Sequence, residues 1–301
     1  MPNANNDKLK QAYAHCQNIA NSHYENFPTA SLLIRSDLRP AIAVIYAFAR
    51  SADDFADEGV MAAEERLRLL DAWEAELDKC LTGQSDHLIF IALADVMQHF
   101  DLPVQLFRDL LIAFRMDVNF KGFTSFDDLL FYCKHSANPV GRLMLLLHSI
   151  HDEKAFDASD AICSALQLTN FWQDFSIDIP KGRCYLADEW LLLSHVSRDD
   201  VLSGSANDQQ LKPAVVEAIE VTQKLFDHGY ALLCFLPFRL RMQIAATLVG
   251  GEAILRSTAA LANPLQQRPH LSKFTWAKVS LKIIDITFRF QAAAKARGCK
   301  R

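Results

Sequence analysis

Two segments of the chain place oxygen-rich side chains along helices that are otherwise apolar. In Ala41–Glu58, AIAVIYAFARSADDFADE, the residues Tyr46, Arg50, Asp53 and Asp57 follow at spacings of four, three and four. An α-helix turns once in about 3.6 residues, so these four share one narrow stripe. In Ala158–Asp178 the run ALQLTNFWQDFSID sets Gln167, Asn170, Asp174 and Asp178 at spacings of three, four and four, a second stripe of the same kind. A carboxylate taken out of water costs on the order of several kcal/mol unless it is paired or bound to a cation. The stripes hold too few basic residues to neutralise four carboxylates, and a divalent cation is the economical partner. Oxygen ligands favour a hard ion, and Mg2+ usually completes its shell with water and substrate phosphates. The pattern therefore points to Mg2+-assisted handling of a diphosphate. The bland alternative is a solvated helix face with surface ion pairs, the usual meaning of a lone i, i+4 aspartate pair. Ser51, Asp54 and Glu58 lie off the first stripe and are read that way.

The elements that must carry these stripes are helical throughout. Ten Gly and ten Pro in 301 residues are about half the average usage, and the intervals between them show apolar recurrence at three and four, not two. Helices are expected near Asp7–Tyr24, Leu38–Glu58, Ala62–Leu81, His87–Phe100, Pro103–Asp117, Ser125–Ser136, Pro139–His151, Ala158–Asp178, Pro213–Phe235, Arg239–Ala262 and Ser272–Ala294. Asn138 before Pro139 suits a helix N-cap, and Gly83 and Gly122 suit helix exits. Asp178–Trp190, with Pro180, Gly182, Lys181, Arg183 and Tyr185, breaks the helical rhythm and is read as a loop or short flap. Ser197–Gln210 is read as a mobile polar connection. With no repeat and no long linker, a single all-α domain spanning 1–301 is expected.

Composition narrows the function. Half of the residues are apolar, 22% are charged and the formal net charge is −5, with no basic block, so no nucleic-acid partner is expected. The seven cysteines are scattered without a C-x-x-C pair and read as reduced thiols of a cytoplasmic protein. The N-terminal residues lack a signal-peptide core, and no apolar run is long enough to span a bilayer. His148 and His151, at i, i+3, lack an evident third metal ligand and are read as a surface pair. Ser31, Ser164 and Cys133 lack a His and an acid at informative spacing, so nucleophilic catalysis is set aside.

The motifs resemble those of the squalene and phytoene synthase family over almost the whole chain. YAFARSADDFADE is similar to the family's first aspartate motif, and NFWQDFSIDIPKGRCYL to its second, including the G-R-x-Y-L tail at Gly182–Leu186. FYCKHSANPVGRLML resembles the middle helix, usually Y-C-x-x-V-A-G-x-V-G. The resemblance implies an isoprenoid synthase helical bundle in which two aspartate-bearing helices face each other across a central cavity. It implies Asp53, Asp57, Asn170, Asp174 and Asp178 as Mg2+ ligands, with Tyr46 and Arg50 assisting. It also implies substrate contacts at His23, Phe27, Tyr132, Gln173, Arg183, Tyr185 and Arg268. Departures from the pattern are Gln173 for arginine and Ile177 for glutamate in the second motif, Ser136-Ala137-Asn138-Pro139 for Val-Ala-Gly, and Leu248–Gly251 where condensing enzymes often carry a tyrosine.

The S-A-N-P and N-F-W-Q-D forms resemble the hydroxysqualene synthase branch of bacterial hopanoid biosynthesis. That branch implies conversion of presqualene diphosphate to hydroxysqualene, with neighbouring pathway enzymes as partners. Head-to-head condensation of prenyl diphosphates is the alternative, and a non-catalytic assembly or interaction relative is a third reading. Asn138 has two readings, a helix cap or a residue holding the quenching water. A C30 substrate further predicts peripheral contact with the inner face of the membrane through Leu265–Lys278.

Overall fold

In the computed structural model, residues 3–22, 35–269, 282, 283 and 285–290 are described, and among them all regular structure is helical. Contacts divide the chain into two compact units. The first comprises Met1–Asn119 with Pro139–His151. It contains α1 (Asn3–Ser22), α2 (Arg39–Asp57), α3 (Ala63–Leu81), α4 (Leu88–Phe100) and α5 (Val104–Val118). It also holds all of α7 (Asn138–Leu147) except the first residue.

A helix that is apolar on most sides must be surrounded, and α2 is packed by α1, α3, α4 and α5. Phe48 is fully buried, its ring 5.3 Å from Phe107, 5.9 Å from Phe90 and 6.0 Å from Trp73. Tyr13 on α1 donates to Asp95 on α4 at 2.7 Å, which ties down the neighbours of α2.

The second unit comprises Phe120–Asn138 with Asp152–Arg301. Its helices are α6 (Phe126–Ser136), α8 (Glu153–Gln173), α9 (Phe175–Asp178), α10 (Asp188–Leu193), α11 (Arg198–Leu202), α12 (Asp208–Gly229) and α13 (Phe238–Ala259). α8 is its central element, packed by α12, α13 and α6. Gly229 permits the close approach of α12: a Cβ there would lie 2.4 Å from the Ile162 side chain. The buried Trp172 indole N–H donates to Thr222 Oγ1 at 2.8 Å, so the polar edge of a large apolar residue is satisfied across the same interface.

The structure alters three local expectations. The expected helix Ala158–Asp178 starts earlier, at Glu153 behind an Asp152 cap, and breaks at Asp174, whose backbone leaves the helical well. Ser197–Gln210 contains α11, and both Ser197 and Asn207 form capping boxes, so this polar stretch is structured by its own side chains. The expected flap begins as a 3-10 turn, Ile179–Lys181, ended by Gly182 at φ 80°, a conformation glycine adopts without a Cβ penalty. The expected helix Ser272–Ala294 lies largely outside the described residues, although 285–290 are helical.

Candidate active site

On α2 the stripe forms, and its arginine is shared. Arg50 places one guanidinium nitrogen 3.2 Å from Asp53 and another 2.5 Å from Asp54, and it also contacts Glu58. Asp54 and Glu58, read from sequence as surface ion-pairing residues, are therefore the neighbours that hold Arg50. The Asp53 carboxyl titrates above its ordinary range, chiefly through burial and then through Asp57, Asp54 and Glu58, with Arg50 opposing. Burial likewise raises the Tyr46 phenol, one turn earlier. Asp57 is exposed at the end of the helix.

The second stripe sits where α8 gives way to α9. Asn170 is exposed, while Gln167, Gln173, Asp174 and Asp178 are partly buried. The break at Asp174 does not scatter the stripe, because the Asp174 N–H still bonds the Asn170 carbonyl and the Asp178 N–H the Asp174 carbonyl. Arg268, from the segment after α13, grips Asp174 with two bonds, Nε to Oδ1 at 2.7 Å and Nη2 to Oδ2 at 3.3 Å. Burial raises the Asp178 carboxyl and the Asp174 charge adds to this, against Lys181, Arg183 and Arg268. The backbone N–H of Arg183 bonds the Asp178 carbonyl at 3.0 Å, which folds the chain back beside the stripe.

Beside this stripe is an aromatic wall. Tyr185 stacks flat on Phe171 at 3.8 Å, and Phe120, Phe123 and Tyr132 pack around the pair. Sequence reasoning reached Tyr132 and Tyr185 but passed over Phe171, although it directly follows Asn170. Phe120 and Phe123 offered no local signal, since they come from the loop after α5. Asparagine and aspartate oxygens, an arginine and an aromatic wall thus lie together on one unit, a donor set that suits a hard divalent cation carrying a diphosphate. No three His, Cys, Asp or Glu side chains among the described residues converge on one point.

Asn138 is bonded otherwise than as the cap expected of it. It is the first residue of α7 and 8% exposed, and its carboxamide serves α8 and the end of α6 instead of the first turn of its own helix. With the amide nitrogen turned to the acceptors around it, Asn138 donates to the carbonyls of Asp160 at 3.1 Å and Cys133 at 3.2 Å. Ser164 Oγ lies 3.0 Å away. Ser164 also bonds the buried Cys133 thiol, whose pKa burial pushes up to about 12. Asn138→Gly is therefore expected to destabilise the protein by about 1–3 kcal/mol, the penalty for unsatisfied buried partners. A lost cap replaced by glycine would cost only a few tenths. Urea denaturation distinguishes the two.

His23 and Phe27 lie outside the described residues, as does the 270–278 part of the expected lipid-contacting segment. No helix among the described residues is long and apolar enough to cross a membrane. His148 is partly buried, with Nδ1 on the Met144 carbonyl at 2.9 Å, and burial lowers its pKa.

Comparison with known proteins points the same way as the motifs. The chain is 33% identical to a hydroxysqualene synthase of Sinorhizobium fredii, covering 82% of this chain and 84% of that one. It is 29% identical to phytoene synthase 2 of Solanum lycopersicum, over 88% and 87%. A crystal structure of a squalene synthase from Alicyclobacillus acidocaldarius superposes with a TM-score of 0.76 at 35% identity, over 82% and 93% of the two chains. The squalene/phytoene synthase family model matches residues 20–275. With that match spanning most of its length, the chain belongs to the squalene/phytoene synthase family.

Proposed function

We propose that the protein converts presqualene diphosphate to hydroxysqualene, releasing diphosphate, with Mg2+ held by Asp53 and Asp57 on α2 and by Asn170, Asp174 and Asp178 on α8 and α9. The observation that carries this reading is the juxtaposition on α8 of metal-suited oxygens, the Arg268 fork and the Phe171–Tyr185 stack. When bound, Mg2+ withdraws charge from the departing diphosphate. Arg50, Arg183 and Arg268 supply charged hydrogen bonds to its oxygens, and Tyr46 a phenolic one. Gln173, beside Asp174, adds a carboxamide donor. Tyr132, Tyr185 and Phe171 line an apolar wall that shelters the rearranging carbocation from early capture. In this reading water ends the reaction. In this reading residues 1–301 form a single catalytic domain.

The likeness to hydroxysqualene synthases supports this product, and the likeness to phytoene synthases supports a second reading, head-to-head condensation of two prenyl diphosphates. Incubation with presqualene diphosphate and Mg2+ in 18O-water, followed by mass spectrometry, tests the first: labelled hydroxysqualene is the expected product. Presqualene diphosphate, squalene or phytoene formed from prenyl diphosphates, without conversion of presqualene diphosphate to the alcohol, would establish the second. The same assay on Asn138→Gly reads the product directly, and an unchanged alcohol fraction removes Asn138 from the quenching step. The likeness to hydroxysqualene synthases also motivates placing the protein beside other hopanoid-pathway enzymes, at the cytoplasmic face of the membrane.

A further inference from the structure

Each carboxylate stripe holds an arginine, but the two arginines are held differently. Arg50 is shared among Asp53, Asp54 and Glu58, so it keeps two acidic partners, on its own helix and just past its end, if Asp53 turns elsewhere. Arg268 forks onto Asp174 and engages both carboxylate oxygens. It reaches there from 94 residues along the chain, on the segment between Pro264 and Pro269, and its side chain is 45% exposed.

A guanidinium in that bidentate position and a divalent cation compete for the same two oxygens, and each repels the other. A cation arriving alone would have to displace Arg268 and leave it without that partner. A cation arriving with a diphosphate offers Arg268 a replacement, since phosphate oxygens accept the same planar fork.

We propose that Arg268 is an exchange residue: it holds Asp174 closed to metal until a diphosphate arrives, then releases the carboxylate to the cation and takes diphosphate oxygens itself. The inference rests on the diphosphate-handling reading above and adds an order to it. Metal and diphosphate become mutually dependent ligands, and by linkage each raises the affinity of the other by the same factor.

The test uses the full chain with Mn2+ alone, inorganic diphosphate alone, and both, reading free Mn2+ by electron paramagnetic resonance and diphosphate by calorimetry. In the unaltered protein Mn2+ alone should bind weakly, and inorganic diphosphate should tighten it by about tenfold or more, within the usual range of coupling. Arg268→Gln should move the two quantities in opposite directions: tighter Mn2+ binding without diphosphate, and a smaller gain when diphosphate is added. Arg268→Lys, a point charge without the fork, should fall between them. If Arg268→Gln weakens diphosphate binding and leaves Mn2+ alone unchanged or weaker, Arg268 is a plain diphosphate ligand and the exchange is wrong. No change in either quantity would make the contact an inert surface pair and overturn the exchange as well. Absence of any Mn2+-dependent diphosphate binding in the unaltered protein would overturn the diphosphate reading itself, a result distinct from the failure of the exchange alone.

Discussion

Asp53→Asn and Asp174→Asn should each lower turnover about 100- to 1,000-fold, the scale of losing one well-placed electrostatic contribution to a developing anion. Asp54→Asn and Glu58→Gln should each cost less than about tenfold, since they lie off the stripe and act as partners of Arg50. The ratio between the two groups is the informative quantity, and steady-state kinetics measures it. Equal losses in all four would mean that the stripe has no chemical identity. Chelation of Mg2+ should likewise abolish turnover while leaving the helical circular-dichroism signal in place.

Stability should move the other way for the two carboxyls whose titration the fold raises. The folded-state pKa values of Asp53 and Asp178 are raised, with burial as the largest cause. A raised carboxyl favours folding when protonated and opposes it once pH climbs through its folded pKa. At neutral pH both aspartates are therefore a liability to the fold, and Asp53→Asn and Asp178→Asn should melt higher than the parent. The difference should shrink as pH falls into the carboxylate range. A variant that loses activity and gains melting temperature is the signature of a residue kept for chemistry.

Phe171→Ala is expected to destabilise the protein by about 3–5 kcal/mol, the usual range for a large aromatic removed from a packed interior. Phe171 is 6% exposed and stacks on Tyr185 at 3.8 Å, with Tyr132 and Phe123 on other sides. The loss reaches function because Phe171 sits between Asn170 and Asp174 and its partner Tyr185 follows Arg183 by two residues. Without the stack, the segment carrying Arg183 loses its seat against α8. Tyr185→Phe retains the stacked ring and should keep stability within about 1 kcal/mol, so that any change in its kinetics reports the hydroxyl. Urea unfolding of both variants, with product analysis below the melting transition, separates packing from chemistry. Equal stability for Phe171→Ala and the parent would remove the wall from the argument.

Helical periodicity was enough to place both stripes, because i, i+3 and i+4 neighbours share a face whatever surrounds the helix. The all-α architecture, the burial of α2 and the family membership were legible for the same reason: each is written in local spacing or in contiguous motifs. The break at Asp174 was not, since the residue spacing in the sequence runs through it unchanged and the Asp178-to-Asp174 backbone bond survives it. Nor could periodicity assign the Asn138 carboxamide, whose partner Ser164 is 26 residues away on another helix. Local chemistry offers an asparagine before a proline only the role of a cap. Arg268 was visible as a lone cation on a loop, but its grip on Asp174 depends on the packing that returns the chain to the end of α8. Local sequence dictates which face a side chain takes on its own helix, while contacts between distant segments exist only after the helices have packed. The oxygens were therefore legible from spacing, whereas the arginine that guards Asp174 and the aromatic wall beside it are products of the tertiary fold.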